Sequence, residues 1–164
     1  MKKIALFSIL CLFAFTAEAQ IRIYKSDPQK YVTLDKSADS LTLLKYFGSP
    51  KEYYTYLDDE YYDGQVSKYD YGHLFLSFVN NILYDFEVDD RSYSVRILDK
   101  YTVRVGDSIE NLIRTIPSQD GQFRVRGKDV ILFVRLEGYD VLADLPLVFG
   151  FDTEGKITTI AYTN

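Results

Sequence analysis

The chain has 164 residues, a formal net charge of −5 at pH 7, and 47% hydrophobic and 16% aromatic residues. These values are typical of a globular sequence and exclude a collagen-like or intrinsically disordered chain. The acidic balance disfavours nucleic acid as a partner, and no apolar run beyond the N-terminal segment approaches the roughly 18 residues of a membrane-spanning helix.

The first 19 residues predict a secretory signal peptide. Two lysines precede an apolar run over residues 4–15, and an Ala-Glu-Ala sequence ends at Ala19, where cleavage is expected. Cys11 lies in the middle of this run and follows Leu10, whereas a lipidated cysteine follows a small residue near the end of such a run. We therefore expect a periplasmic or secreted protein that is not a lipoprotein.

Residues 20–35 are interpreted as an N-terminal arm, and two short helices are predicted after it. The first begins at the capping pair Asp39-Ser40 and ends at Gly48, and the second begins after Asp107-Ser108 and ends before Pro117. At about ten residues each, neither helix is stable alone in water, so each needs an apolar surface against which to pack.

The remainder is rich in Tyr, Val, Ile, Phe and Thr with turn residues between the runs, which predicts strands. The predicted strands are 52–57, 66–71, 73–79, 82–88, 93–98, 101–105, 122–126, 130–136, 145–151 and 156–162. The clearest hairpin turns are at residues 80–81, 127–128 and 152–155.

The sequence also shows internal similarity. The helix start at residues 39–41 matches that at 107–109, and the strand at 74–78 matches the one at 147–151. We interpret this as two tandem units, 36–90 and 91–164, in an α+β fold with short helices packed on one face of an antiparallel sheet. The alternative is a chance match between two unrelated hairpins in a tyrosine-rich chain.

A family resemblance accompanies this pattern. The segment 44–50, Leu-Lys-Tyr-Phe-Gly-Ser-Pro, resembles the helix end of the SmpA/OmlA small envelope proteins, and the segment 105–109, Val-Gly-Asp-Ser-Ile, resembles their helix start. The tandem arrangement is similar to that of the secreted beta-lactamase inhibitor proteins. The resemblance implies helices on one face of an antiparallel sheet and a role in binding other proteins.

Catalytic residue types are scarce. The chain has one histidine, His73, its one cysteine is in the predicted signal peptide, and it has no serine-hydrolase or phosphate-loop motif. Asp85, Glu87 and Asp89 alternate along one predicted strand, as the solvated face of a half-buried strand requires. We expect no enzymatic activity. The alternative is a carboxylate-based hydrolase.

A calcium loop is the strongest metal hypothesis, and it fits poorly. Asp59, Asp63, Gly64 and Asp70 match positions of the calcium-loop template, but Tyr61 stands where an oxygen ligand is required. We predict an acidic loop, no metal site and no cofactor.

The most unusual feature is a segment with seven tyrosines between residues 53 and 71, interleaved with aspartates. Tyrosine offers a rigid apolar ring with a polar tip, which suits a protein interface or a sugar-stacking surface, although tyrosine is also simply a good strand former. The candidate interaction residues are Tyr53, Tyr54, Tyr56, Asp58, Asp59, Tyr61, Tyr62, Asp63, Tyr69 and Tyr71.

The sequence therefore favours an exported, non-enzymatic binding or adaptor protein of the cell envelope. Its expected partner is another envelope or secreted protein, and a glycan is a possible ligand. The alternative is a hydrolase or glycan-binding protein that acts on envelope polysaccharide.

Overall fold

The computed structural model describes residues 21–58, 60–61, 63–135 and 142–162. The predicted signal peptide, with its cleavage point after Ala19, lies outside these residues. Within the described ranges, neither helix is long and apolar enough to cross a membrane.

The described residues form two helices and twelve strands, and all strand pairs are antiparallel. The helices are α1 (Ser40–Phe47) and α2 (Ile109–Thr115). The strands are β1 (Ile21–Tyr24), β2 (Tyr31–Thr33), β3 (Glu52–Asp58), β4 (Gly64–Asp70), β5 (Leu74–Val79), β6 (Ile82–Val88), β7 (Ser94–Ile97), β8 (Tyr101–Val103), β9 (Gly121–Arg126), β10 (Asp129–Arg135), β11 (Leu142–Phe151) and β12 (Ile157–Tyr162).

Eight strands form the larger sheet, in the order β3-β4-β5-β6-β12-β11-β10-β9. The four strands that follow α1 fill one half, and the four that follow α2 fill the other. The halves meet between β6 and β12, where three residue pairs are in register: Val88 with Ile160, Glu87 with Ala161, and Phe86 with Tyr162. The outermost strands are β3 and β9.

A second sheet has four strands in the order β2-β1-β7-β8. Residues 21–33, which the sequence suggested as an arm, supply two of these strands, because β1 pairs with β7. Alternate side chains of this sheet are buried, among them Ile21, Ile23, Val95 and Ile97, and they join the inward side chains of the larger sheet in one core.

The predicted α+β class, with helices packed on one face of the sheet, is wrong: the protein is mostly β, with sheets of four and eight strands. Helices of eight and seven residues are too small to cover an eight-stranded sheet, and the four-stranded sheet supplies much of the opposing apolar surface. On α1, Leu43 and Phe47 enter the core, whereas Leu41 is 76% exposed and Leu44 is 50% exposed.

Local chemistry still explains where the helices begin. The Asp39 carboxylate accepts a hydrogen bond from the Thr42 N–H at 2.7 Å, and the Ser108 hydroxyl accepts one from the Asn111 N–H at 3.3 Å. Both bonds satisfy donors that the first turn of a helix leaves unpaired.

A β-bulge explains why β6 has buried apolar residues at both odd-numbered and even-numbered positions. The pairing with β5 shifts between Ser77 and Phe78, so Ser77 lies opposite Asp85 while Phe78 lies opposite Leu83. The extra residue in β6 reverses the face on which the following side chains lie. Leu83 and Phe86 are therefore both buried.

Candidate functional site

Strand β3, which carries three of the candidate tyrosines, is an edge strand of the larger sheet. Among the described residues it pairs with β4 alone. Six of its seven residues are exposed and the seventh, Asp58, is partly buried. Tyr53 is 51% exposed, Tyr54 is 52% and Leu57 is 74%. A strand with this much exposed aromatic and aliphatic surface is unusual, because edges of this kind invite pairing with another chain.

The hydrogen-bond phase of β4 shows which backbone groups of β3 face the open edge. The N–H of Tyr71 donates to the Leu74 carbonyl, and the N–H of Asn80 donates to the Gln65 carbonyl. The odd-numbered residues between 65 and 71 therefore direct their backbone N–H and C=O groups towards β5. Even-numbered residues of β4 then face β3, because the direction alternates along a strand.

The register of β3 with β4 carries this phase across to the edge. Tyr54 lies opposite Lys68 and Tyr56 lies opposite Val66, so both direct their backbone groups towards β4. The backbone N–H and C=O groups of Tyr53, Thr55 and Leu57 therefore face away from the sheet. The open edge offers a row of donors and acceptors for an additional strand.

The tyrosines of β3 divide between the two faces of the sheet. Tyr54 and Tyr56 lie on the outer face, where Tyr54 is opposite Lys68 and Tyr56 is opposite Val66, which is only 2% exposed. Tyr53 lies on the inner face, where its ring centroid is 4.7 Å from that of Tyr69 on β4. The segment therefore presents aromatic surface on both sides of one edge.

Tyr69 links this edge to the core and to helix α1. Its ring meets Phe78 edge-on, with centroids 5.6 Å apart. Burial and the neighbouring Tyr53 raise the pKa of Tyr69 to about 12, while a hydrogen bond with Ser40 acts in the opposite direction. Tyr69 is partly buried, and its ring packs against the more exposed ring of Tyr53.

Tyr71 belongs to the core and not to the exposed surface. It is 9% exposed, and its ring centroid lies 5.6 Å from that of Phe47. Burial, with smaller contributions from Tyr69 and Tyr93, raises the pKa of Tyr71 to about 12. Its place in the sequence, one residue beyond the end of β4, gave no sign of this difference.

The turn between β3 and β4 is organised by Asp58. Its carboxylate accepts hydrogen bonds from the N–H groups of Glu60 at 3.1 Å and of Tyr61 at 2.8 Å. Tyr61 is 78% exposed, and Asp63 has a positive φ of 45°. Asp59 and Tyr62 lie outside the described residues.

The carboxylates of β6 lie on the outer face near a half-exposed aromatic ring. Phe75, which is 44% exposed, is flanked across the sheet by Asp70 on one side and Glu87 on the other. Burial raises the pKa of the Asp85 carboxyl, Lys68 lowers it, and Glu87 raises it further.

The remaining candidates for chemistry are separate from this edge. His73 Nδ1 lies 2.8 Å from the Asp89 carboxylate, and both side chains are largely exposed. Within the described ranges, no three His, Cys, Asp or Glu side chains are arranged to hold a metal ion.

Sequence reasoning missed a second group of side chains, on the outer face of the four-stranded sheet. Arg22 on β1 lies directly opposite Arg96 on β7, and Arg104 follows β8 on the same face. The available signal was an arginine between apolar residues in both Ile-Arg-Ile (21–23) and Val-Arg-Ile (95–97), but only the pairing of β1 with β7 brings them together.

Comparisons with known proteins give little further information. No protein-family model matches the chain, and no curated protein matches it. Its structure is similar to the crystal structure of an extracellular protein containing a SCP domain from Bacillus anthracis, with a TM-score of 0.42 and 17% sequence identity. The match covers 79% of this chain and 44% of the Bacillus protein.

Proposed function

We propose that this chain is an exported, non-enzymatic binding protein of the cell envelope that takes up a partner protein along the open edge of β3. The observation that carries the proposal is the exposure of this strand on both faces, together with its outward-facing backbone groups. Exposed strands of this kind bind extended segments of other proteins by strand addition, with backbone hydrogen bonds for affinity and alternate side chains for specificity.

The side chains around the edge define the partner that fits. Tyr53 and Leu57 offer apolar surface on the inner face, and Tyr54 and Tyr56 do so on the outer face. Glu52 stands at the start of the strand and Asp58 at its end. A partner segment with alternating apolar residues and a lysine or arginine at each end would complement this surface.

Leu57→Pro tests the proposal directly. The N–H of Leu57 faces the open edge, so proline removes a donor to the incoming strand without breaking a hydrogen bond to β4, and edge strands tolerate proline at such positions. We expect the mature chain to capture a partner from envelope extract and the variant to capture at least tenfold less.

Val125→Pro is the matched control at the opposite edge. Val125 on β9 is 70% exposed. Phe151 donates to the Lys128 carbonyl, so even-numbered residues of β10 face β11 and Val125 directs its N–H to solvent. This variant should capture the partner as the parent does.

Hydrogen exchange on the captured complex locates the contact. The outward amides of Tyr53, Thr55 and Leu57 should gain protection when the partner binds, because they become donors to its backbone. Equal capture by Leu57→Pro, or unchanged exchange at these three amides in the complex, would contradict strand addition at β3.

Glycan binding is a second candidate, favoured by Phe75 between Asp70 and Glu87 on the outer face. A half-exposed ring flanked by carboxylates can stack on a sugar and accept hydrogen bonds from its hydroxyls. Binding to envelope polysaccharide that Phe75→Ser abolishes and Leu57→Pro leaves unchanged would favour this candidate. Turnover of the polysaccharide would favour a hydrolase.

A further inference from the structure

The outer face of the four-stranded sheet brings three arginines together on an acidic protein. Arg22 and Arg96 are direct cross-strand neighbours on β1 and β7. Arg104 extends the ladder next to Ser94, and its Nε donates to the Ser94 hydroxyl at 2.7 Å. We call Arg22, Arg96 and Arg104 the arginine face.

Two tyrosine rings hold the guanidinium groups in place. The central carbon of the Arg22 guanidinium lies 4.3 Å from the ring centroid of Tyr31, and that of Arg96 lies 5.6 Å from the ring of Tyr24. Stacking on a ring fixes the plane of a guanidinium, whose edge carries its hydrogen-bond donors. The face is therefore ordered without being neutralised by the rings.

The positive charge of the face is only partly compensated. Arg22 makes an ion pair with Asp99 at 2.8 Å. Within the described part of the chain, no carboxylate lies within 4 Å of the guanidinium nitrogens of Arg96 or Arg104. The nearby Asp107 carboxylate accepts instead from the backbone N–H of Arg104, at 2.9 Å. Like charges on directly opposite residues are unfavourable in a sheet, so an anion that contacts both arginines would relieve their repulsion.

The pKa of the Tyr24 hydroxyl reports on the electrostatic environment of this face. Tyr24 is 5% exposed. Burial alone would raise the pKa of its hydroxyl, but hydrogen bonds with Thr102, Ser94 and Arg96 and the charge of Arg96 lower the pKa below its ordinary value. The groups around this hydroxyl therefore stabilise negative charge on a buried oxygen atom.

We propose that the arginine face binds a phosphate-type dianion. Guanidinium groups bind tetrahedral oxyanions through paired N–H donors. A phosphate monoester carries roughly −1.5 to −2 charges at pH 7. This matches the charges of Arg96 and Arg104, which have no carboxylate partner among the described residues, whereas a ligand with one carboxylate neutralises only one of these two charges.

A neighbouring cavity gives room for the rest of such a ligand. It has a volume of about 290 Å³ and lies between β8 and α2. Thr102, which is directly opposite Arg96 in the sheet, lines it together with polar residues such as Asn111. A phosphate on the arginine face can therefore carry a small polar substituent towards α2.

Calorimetric titration at constant ionic strength tests the proposal, with inorganic phosphate, sulfate and acetate as probes. We expect phosphate and sulfate to bind and acetate to bind at least tenfold more weakly. Arg96→Gln and Arg104→Gln should each weaken phosphate binding at least tenfold. Arg124→Gln is the matched control, because Arg124 also lies over an aromatic ring, that of Phe133 at 5.0 Å, but on the larger sheet.

NMR of the arginine side chains gives a site-specific reading in the folded parent protein. Phosphate should shift the Nε–Hε signals of Arg22, Arg96 and Arg104 and leave that of Arg124 unchanged. Equal affinity for acetate, an equal loss in Arg124→Gln, or no shift of these three signals would overturn the proposal.

Two further probes identify the source of the phosphate group. Binding of glycerol 3-phosphate in solution supports a soluble phosphomonoester as the ligand. Co-sedimentation with phosphatidic acid vesicles, and not with phosphatidylcholine vesicles, supports a lipid headgroup. Either result must be lost in Arg96→Gln, and its retention there would refute the site.

Discussion

Replacing Tyr71 by phenylalanine tests the division of the tyrosines between core and surface. The ring is 9% exposed, and the enclosed hydroxyl makes no hydrogen bond to any residue that the structure describes. A buried polar group without a partner costs about 1–3 kcal/mol, and phenylalanine keeps the ring contacts with Phe47. We expect Tyr71→Phe to raise the free energy of unfolding by about 1 kcal/mol. This value is at the low end of that range because removal of the oxygen leaves a small void, which itself costs stability.

The difference in the free energy of unfolding between Tyr71→Phe and the parent should be larger at high pH. The pKa of Tyr71 is raised to about 12 in the folded protein, whereas an unfolded tyrosine ionises near about 10. The stability that depends on the Tyr71 proton is therefore fully present below about pH 10 and is lost as the pH rises from about 10 to about 12, because the unfolded chain releases this proton first. The loss is at most about 1.4 kcal/mol per pH unit, reduced by solvent screening, and Tyr71→Phe removes it.

Urea unfolding followed by circular dichroism measures both effects, at pH 7 and at about pH 10.5. Tyr54→Phe is the control, because its ring is 52% exposed and surface changes usually stay within about 0.5 kcal/mol. A loss of about 1 kcal/mol or more in Tyr71→Phe at pH 7 would refute the reasoning, since it would show that the hydroxyl has a stabilising partner.

Three further substitutions probe the framework by urea unfolding. Asn80→Ala should lower stability by about 2 kcal/mol, because Asn80 has a φ of 49° and its side chain accepts the Gln65 N–H at 3.0 Å; an unchanged midpoint would contradict this. Ser108→Ala should cost about 1 kcal/mol through loss of the cap of α2, and Ser108→Asp should restore it. Gly121→Ala should cost about 1–3 kcal/mol, since a Cβ there lies 2.6 Å from Leu132 Cδ1; a neutral result would show that Leu132 moves freely.

Local sequence patterns were sufficient to predict many of the strands and turns of the larger sheet. Leu74, Leu76 and Phe78 alternate along β5, and all three are buried as the alternation requires. The turn at Asn80 and Asn81 has a positive φ at both residues, which is the conformation that asparagine tolerates in a two-residue hairpin.

Pairing between distant segments explains what the sequence did not reveal. Strand β1 has four residues, and its burial depends on pairing with β7, whose paired residues are 70 to 76 positions later, from Tyr24 with Ser94 to Ile21 with Ile97. Helix α1 carries the apolar side chains of Leu41, Leu43, Leu44 and Phe47, but the four-stranded sheet provides apolar surface for the core and leaves Leu41 and Leu44 in solvent.

The burial of individual tyrosines at the candidate surface also depends on pairing between strands and could not be predicted from the sequence. Tyr54 and Tyr71 belong to one tyrosine-rich segment, yet the first lies on an open edge and the second in the core. Propensity for strand structure is the same for both, and only the order of strands in the sheet separates them. The arginine face depends likewise on the pairing of β1 with β7.

The position of β12 has a consequence for the order of folding. Residues 157–162 form the last described strand in the chain, yet they lie in the middle of the larger sheet, between β6 and β11. The two halves therefore cannot join until these residues have been synthesised and have left the ribosome. A chain built in this way folds slowly, because its contacts join residues far apart in sequence. The larger sheet closes only when this last strand arrives.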